Sequence, residues 1–149
     1  MPEFLETTVG KFIFRVAIDR HYDGEGMWAQ AEGSRVRIGL SDFLQQRSGD
    51  VAFAEIKPVG TVLAVGDEVA LIETVKVNIS LTSPVKGTVV EVNPAIDISP
   101  ETINQDPYGA GWLAVIEVTG GQVECERLFD ARAYFELMKE QAEQGTKNR

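Results

Sequence analysis

Residues 71–80 read Leu71-Ile72-Glu73-Thr74-Val75-Lys76-Val77-Asn78-Ile79-Ser80. Leu71, Val75, Val77 and Ile79 are strand formers, and the stretch reads as a strand, a tip and a returning strand. A single amine, Lys76, stands in the middle of this apolar run. Alone, such a lysine is an edge charge that keeps a hairpin soluble. The flanking sequence supplies a second reading. Gly60-Thr61-Val62-Leu63-Ala64-Val65 and Gly87-Thr88-Val89-Val90-Glu91-Val92 share the pattern G-T-V-x-x-V. Each copy is followed by a turn pair, Gly66-Asp67 or Asn93-Pro94, at a spacing within the range of small repeats. Two related β halves make a compact sandwich or barrel, and Lys76 lies at their joint, an extremity of the fold.

The rest of the chain agrees with a mainly β domain. Phe12, Phe14 and Val16 alternate as a short edge strand within an otherwise unpatterned segment 1–25. Trp28-Ala29-Gln30 begins a strand, and Glu32-Gly33 turns it into Arg35–Ile38. Ser41 is placed to cap a short helix, Asp42–Arg47, which Gly49-Asp50 ends. Val51, Phe53 and Glu55 keep strand period. Pro94 to Asn104 reads as irregular, with one helical turn starting at Ser99-Pro100-Glu101. Asp106–Gly111 is a loop, and Trp112–Val118 returns to strand. Near the end, Tyr134, Leu137, Met138 and Gln141 fall at i, i+3, i+4 and i+7, with Asp130 as cap: an amphipathic helix packed on the β core. The expected organisation is an N-terminal extension (1–25), a β domain (26–120) and a C-terminal helical region on the same domain (121–149).

Composition narrows the function. The 149 residues carry a net charge of −9, and the 14 basic residues are scattered rather than clustered, which argues against nucleic acid. No apolar run reaches transmembrane length, and the start lacks the pattern of a secretory signal, so a cytoplasmic protein without membrane contact is expected. The glycosylation sequon Asn78-Ile79-Ser80 then carries no meaning. A lone Cys125 cannot form an internal disulfide and reads as a passive small residue. The single His21 reads as a solvated loop residue, and the two together leave no transition-metal site. Gly24–Ala29 and Gly109–Ala114 both fit G-x-G-x-x-A, but each opens a strand, whereas dinucleotide binding needs the loop to open a helix. Both are rejected. No nucleophile–base set assembles, so no intrinsic active site is expected.

An exposed lysine on a tight β turn can be acylated by a modifying enzyme. Such an amide gives a long flexible arm on a rigid base, which is group-carrier chemistry. Three segments carry a resemblance: Glu73–Lys76, Ser83–Asn93 and Asn104–Leu113, the last containing Asp106-Pro107-Tyr108-Gly109-Ala110-Gly111-Trp112. In order and spacing, from about Trp28 to Val118, they resemble the H protein of the glycine cleavage system. Biotin carriers place methionines beside the lysine, whereas here Val75 and Val77 flank it.

The resemblance implies a barrel-sandwich hybrid of the lipoyl/biotinyl type, with short helices and a C-terminal amphipathic helix. It implies lipoate in amide linkage to Lys76. Glu73, Thr74, Val75 and Val77 would form the recognised hairpin, with Glu73 alternatively in a cross-strand charge pair. Met27, Trp28, Arg47, Ser80, Asp106, Tyr108 and Trp112 would line the cleft of the arm. Asn104, Gly109 and Gly111 would hold the neighbouring loop, with Trp112 packed in the core. Implied partners are a lipoate ligase or an octanoyl or lipoyl transferase, dihydrolipoamide dehydrogenase, glycine decarboxylase and an aminomethyltransferase. The implied role is a non-catalytic carrier of an aminomethyl group and reducing equivalents. Family members usually read His-Glu-Trp where this chain has Gly26-Met27-Trp28. Arg47 stands for a histidine, and Ser80 for a polar acid. Met27 and Arg47 suit an anionic sulfur adduct, so an H-like lipoate-binding protein serving a heterodisulfide-reductase-like sulfur oxidation complex is an alternative. An unmodified β interaction module is another.

Overall fold

A computed structural model describes residues 3–121, 123 and 128–147; Cys125 lies outside the described residues. Twelve strands and four helices are assigned among them. The strands are β1 Phe4–Val9, β2 Phe12–Ala17, β3 His21–Tyr22, β4 Met27–Glu32, β5 Arg35–Leu40, β6 Val51–Ile56, β7 Val62–Leu63, β8 Glu68–Thr74, β9 Asn78–Thr82, β10 Gly87–Val92, β11 Ala114–Val118 and β12 Phe129–Asp130. The helices are α1 Asp42–Ser48, α2 Pro94–Ile98, α3 Thr102–Gln105 and α4 Ala131–Lys147. The main sheet runs β12-β3-β4-β5-β11-β10-β7, a second sheet runs β6-β8-β9, and β1-β2 form a separate hairpin. The inner faces of the two larger sheets share one apolar core, including Ile38, Leu40, Val69, Ile72, Leu81, Val89 and Ile116. This is the barrel-sandwich architecture of lipoyl-type domains.

The two G-T-V-x-x-V copies are neighbours in space. β7 pairs antiparallel with β10, Leu63 opposite Gly87 and Val62 opposite Thr88. Gly60 N–H donates to the Val89 carbonyl, and Val89 N–H to the Thr61 carbonyl. Gly87 is required there, because a Cβ would sit 2.2 Å from the Glu117 carbonyl oxygen. The segment joining the copies is the β8–β9 hairpin, with Lys76 at its tip.

Local signals explain the helices. Ser41 Oγ accepts from Leu44 N–H at the start of α1, and Gly49, at φ 88°, ends it. Asp130 Oδ1 accepts from Ala133 N–H at the start of α4. Tyr134 and Met138 face the core as the periodicity requires, and Ala131 and Ala142 complete the buried stripe. α2 is a correction to the irregular reading of 94–104: Pro94 opens it, and Asn93 caps it through Ala95 N–H.

Segment 1–25 holds a paired hairpin, not a lone edge strand, with Phe12 opposite Val9 and Ala17 opposite Phe4. Its inner residues Phe14, Val16 and Ala17 share a second core with Tyr22, Trp28, Phe43, Tyr108, Tyr134 and Met138. Phenols fasten it: Tyr22 donates to the Ala17 carbonyl and Tyr108 to the Arg15 carbonyl. Asp42 accepts from Arg15 N–H. His21 is also corrected. It is a half-buried residue of β3, paired with Ala29 and Asp130.

Candidate functional site

The β8–β9 tip is built around one hydroxyl. Thr74 Oγ1 lies 2.7 Å from the Ser48 carbonyl oxygen and 2.8 Å from that of Val77, to either of which it can donate. It accepts from Val77 N–H at 3.0 Å and Lys76 N–H at 3.2 Å. Thr74 N–H donates to the Val77 carbonyl, and Val75 N–H to the Asp50 carbonyl. The turn is thus pinned to itself and to the α1–β6 connection. That connection is held from beneath by Asn104. Its amide donates to Gln45 Oε1 and the Gly49 carbonyl, and its oxygen accepts from Val51 N–H. Asn104, expected to hold the neighbouring loop, therefore spends its side chain on the base of the Lys76 turn.

On this base Lys76 is exposed. Among the described residues its amine has no hydrogen bond or ion pair. Val75 (72 % exposed) and Val77 (50 %) point away from the core, so the apolar run around the lysine is a surface feature. Gly49 leaves room for Val75, since a Cβ there would come within 3.2 Å of Val75 Cγ2, and the Lys76 stem lies in ordinary contact range at 3.8 Å. Glu73 has no ion pair among the described residues; its cross-strand neighbours are Phe53 and Asn78, which corrects the charge-pair reading.

Among the described residues, two cavities border the tip. An open groove of about 830 Å³ is lined by Asp23, Glu25, Leu44, Arg47, Ile79 and Ser80. A smaller cleft of about 160 Å³ contains Lys76 itself, with Phe12, Phe14, Phe43 and Arg47 in its wall. Arg47 borders both, its guanidinium 5.2 Å from the Phe43 ring centre. Ser80 donates to Glu68 at 2.6 Å. Of the residues expected around the arm, the structure brings Arg47 and Ser80 to these cavities.

The others are elsewhere. Met27 (1 % exposed) and Trp28 (0 %) are core residues. Trp28 Nε1 donates to the Pro107 carbonyl, and the Arg20 guanidinium lies 4.3 Å from its ring centre. Asp106 and Tyr108 border a different surface depression beside Phe4 and Arg15. Asp106 Oδ2 accepts from Ala110 N–H, and its carbonyl from the N–H of Gly109 and Gly111. Burial pushes the Tyr108 phenol up to about 12. Trp112 is half-buried with Arg37 stacked 4.4 Å from its ring centre, and does not lie fully in the core. Sequence reading missed Asp23 and Glu25. The turn Asp23-Gly24-Glu25-Gly26 was legible, but its position beside the β9 edge was not. Asp23 Oδ1 accepts from Glu25, Gly26 and Met27 N–H, which fixes the turn at the groove.

A barrel-sandwich domain that offers one unpartnered lysine on a pinned hairpin tip belongs to the class of lipoyl-type carrier domains. A family model described as glycine cleavage H-protein matches residues 20–141. The chain is 43 % identical to a glycine cleavage system H protein of Beutenbergia cavernae over 82 % of its length and 95 % of that protein. It is 39 % identical to one from Thermus thermophilus, over 83 % and 96 %. A crystal structure of a glycine cleavage system H protein from Mycobacterium marinum superposes with a TM-score of 0.73 at 31 % identity, covering 81 % of this chain and 97 % of that one. The chain belongs to the glycine cleavage H-protein family, carrier components of that system, whose cofactor is lipoate on a lysine. An exposed, unpaired amine on a rigid turn fits that group. No helix among the described residues is long and apolar enough to cross a membrane.

Proposed function

We propose that Lys76 is the lipoyl attachment site. The observation that carries this reading is the free Lys76 amine on the Thr74-pinned tip, in a chain of this family. Amide formation with a carboxylic acid removes the lysine charge. The cofactor supplies a disulfide–dithiol couple at the end of a long arm. The protein's part is to hold the arm's root still and present it. Thr74 and Asn104 fix the tip, and Val75, Val77 and Phe53 give a modifying enzyme an exposed apolar surface on which to dock. A rigid root keeps the arm's end at high local concentration near each docked partner. The chain contributes no catalytic residues of its own in this reading and works in the cytoplasm.

The cargo is an aminomethyl group, passed with reducing equivalents among glycine decarboxylase, an aminomethyltransferase and dihydrolipoamide dehydrogenase. The groove beside the tip supports a cationic cargo in that two carboxylates, Asp23 and Glu25, line it with one cation, Arg47, and a sheltered ammonium needs carboxylate partners. The case for a sulfur cargo loses half its basis, since Met27 is enclosed in the core and does not face the arm.

The test has two stages. Intact mass after treatment with lipoate and a lipoate ligase reads the attachment: one lipoyl group on the native chain and none on Lys76→Arg is expected. Unmodified native protein would return Lys76 to an ordinary turn residue. The lipoylated chain is then added to glycine decarboxylase, and exchange of glycine carboxyl with labelled carbon dioxide is followed. Modified protein that supports no exchange would leave the carrier standing and remove the glycine cleavage role.

A further inference from the structure

Half of the residues lining the smaller cleft at Lys76 lie outside the family-matched span of 20–141. Val9, Phe12 and Phe14 come from the β1–β2 hairpin, and Ala142 and Gly145 from the end of α4. Three aromatic rings form a ladder across it: Phe12 stacks on Phe14 with centres 6.1 Å apart, and Phe14 meets Phe43 edge-on at 5.2 Å. Phe12 and Val9 are half-buried, so part of each faces the opening. Gln141 also lines the cleft, and its Oε1 is buried without a hydrogen-bond partner among the described residues. The cleft is therefore an apolar, aromatic-walled recess, and a modifiable lysine forms its edge.

We propose that this cleft is a docking seat for the oxidised, disulfide end of the acyl arm carried on Lys76. The inference rests on the lipoyl reading of that lysine. Size and chemistry identify the occupant. A cavity of about 150 Å³ takes one small ring such as benzene, so 160 Å³ suits the five-membered ring of the arm. Divalent sulfur makes favourable contacts with aromatic rings, and the alkyl chain leading to it is apolar. Arg47 stands between this recess and the polar groove lined by Asp23 and Glu25. Its two sides offer separate seats: aromatic for the uncharged ring, acidic for an arm bearing a cation. The β1–β2 hairpin thereby gives this chain a resting position for the empty arm that the matched domain alone does not build.

The probe is the lipoylated full chain, with modification verified by mass. Reduction of the arm's disulfide by a water-soluble phosphine is timed by alkylation and mass, for the native chain and for Phe12→Ala and Phe12→Leu. The expected result is reduction several-fold faster in Phe12→Ala, with Leu restoring most of the protection, and magnetisation transfer between arm methylenes and the Phe12 ring in the native chain. Circular dichroism of the aromatic region confirms that each variant is folded. Full modification with equal reduction rates in all three chains, or arm contacts only to Leu44 and Ile79 in the polar groove, would overturn the seat while leaving the carrier reading intact. A native chain that gains no lipoyl mass would remove both.

Discussion

The hairpin tip at Glu73–Val77 and the loop at Asn104–Trp112 stand out equally in the sequence, yet the folded chain uses them oppositely. The tip is exposed, and its lysine touches no partner. The loop is spent on packing. Its carbonyls receive the Trp28 indole and the Arg20 guanidinium, and the Tyr108 phenol ties down β2. The two meet through the backbone of residues 48–51, which bonds the Asn104 side-chain amide at Gly49 and Val51 and the Thr74 hydroxyl and Val75 N–H at Ser48 and Asp50. A distinctive motif can therefore serve a site without facing it, by fixing the support on which the reactive group stands.

That division predicts effects that separate chemistry from stability. The largest is at Lys76→Arg. Lipoylation, read by mass, should vanish, while urea denaturation moves by less than about 0.5 kcal/mol, because the residue is a surface side chain without partners. Any larger shift would mean that the tip also holds the fold.

Next comes alkaline pH. All three tyrosines of the chain, Tyr22, Tyr108 and Tyr134, are buried, and burial raises each phenol above its ordinary value of 10. Above pH 10 the unfolded chain loses phenolic protons that the folded chain keeps, so stability falls as pH rises. Each phenol contributes about 1.4 kcal/mol per pH unit, and the share of Tyr108 is exhausted near its folded value of about 12. Tyrosinate absorbance should appear together with unfolding. A gradual rise in a folded chain would show the aromatic core to be open.

Trp28→Ala should cost about 3–5 kcal/mol, measured by denaturant midpoint. Lipoylation of the folded fraction should be unchanged, since Trp28 serves packing and the loop. Thr74→Val is the smallest and sharpest test. It keeps the shape but removes the hydroxyl that serves four backbone groups, a cost of about 1–3 kcal/mol from unpaired polar groups. It should slow modification of Lys76 more than Trp28→Ala does. The reverse ranking would place the control of presentation in the loop rather than in the tip.

The strand–tip–strand reading of 71–80, the Ser41 and Asp130 caps and the stripe on α4 were legible because each depends on neighbours within a few residues. The pairing of β7 with β10 could be suspected from the repeat. The cleft could not be read. Met27 and Trp28 looked like site residues because they lie in a distinctive segment, but β4 is central in its sheet and turns both into the core. Asp23 and Glu25 looked like ordinary turn residues, and Phe12 like an edge-strand ring.

By itself, then, the sequence determined where the reactive amine lies and what kind of turn carries it, since hairpin chemistry is local. Only the tertiary structure decided what surrounds that amine. Its neighbours come from residues 9–25, 43–47 and 141–145, segments distant along the chain that are brought together where the β1–β2 hairpin, α1 and α4 pack on a second core beside the two larger sheets.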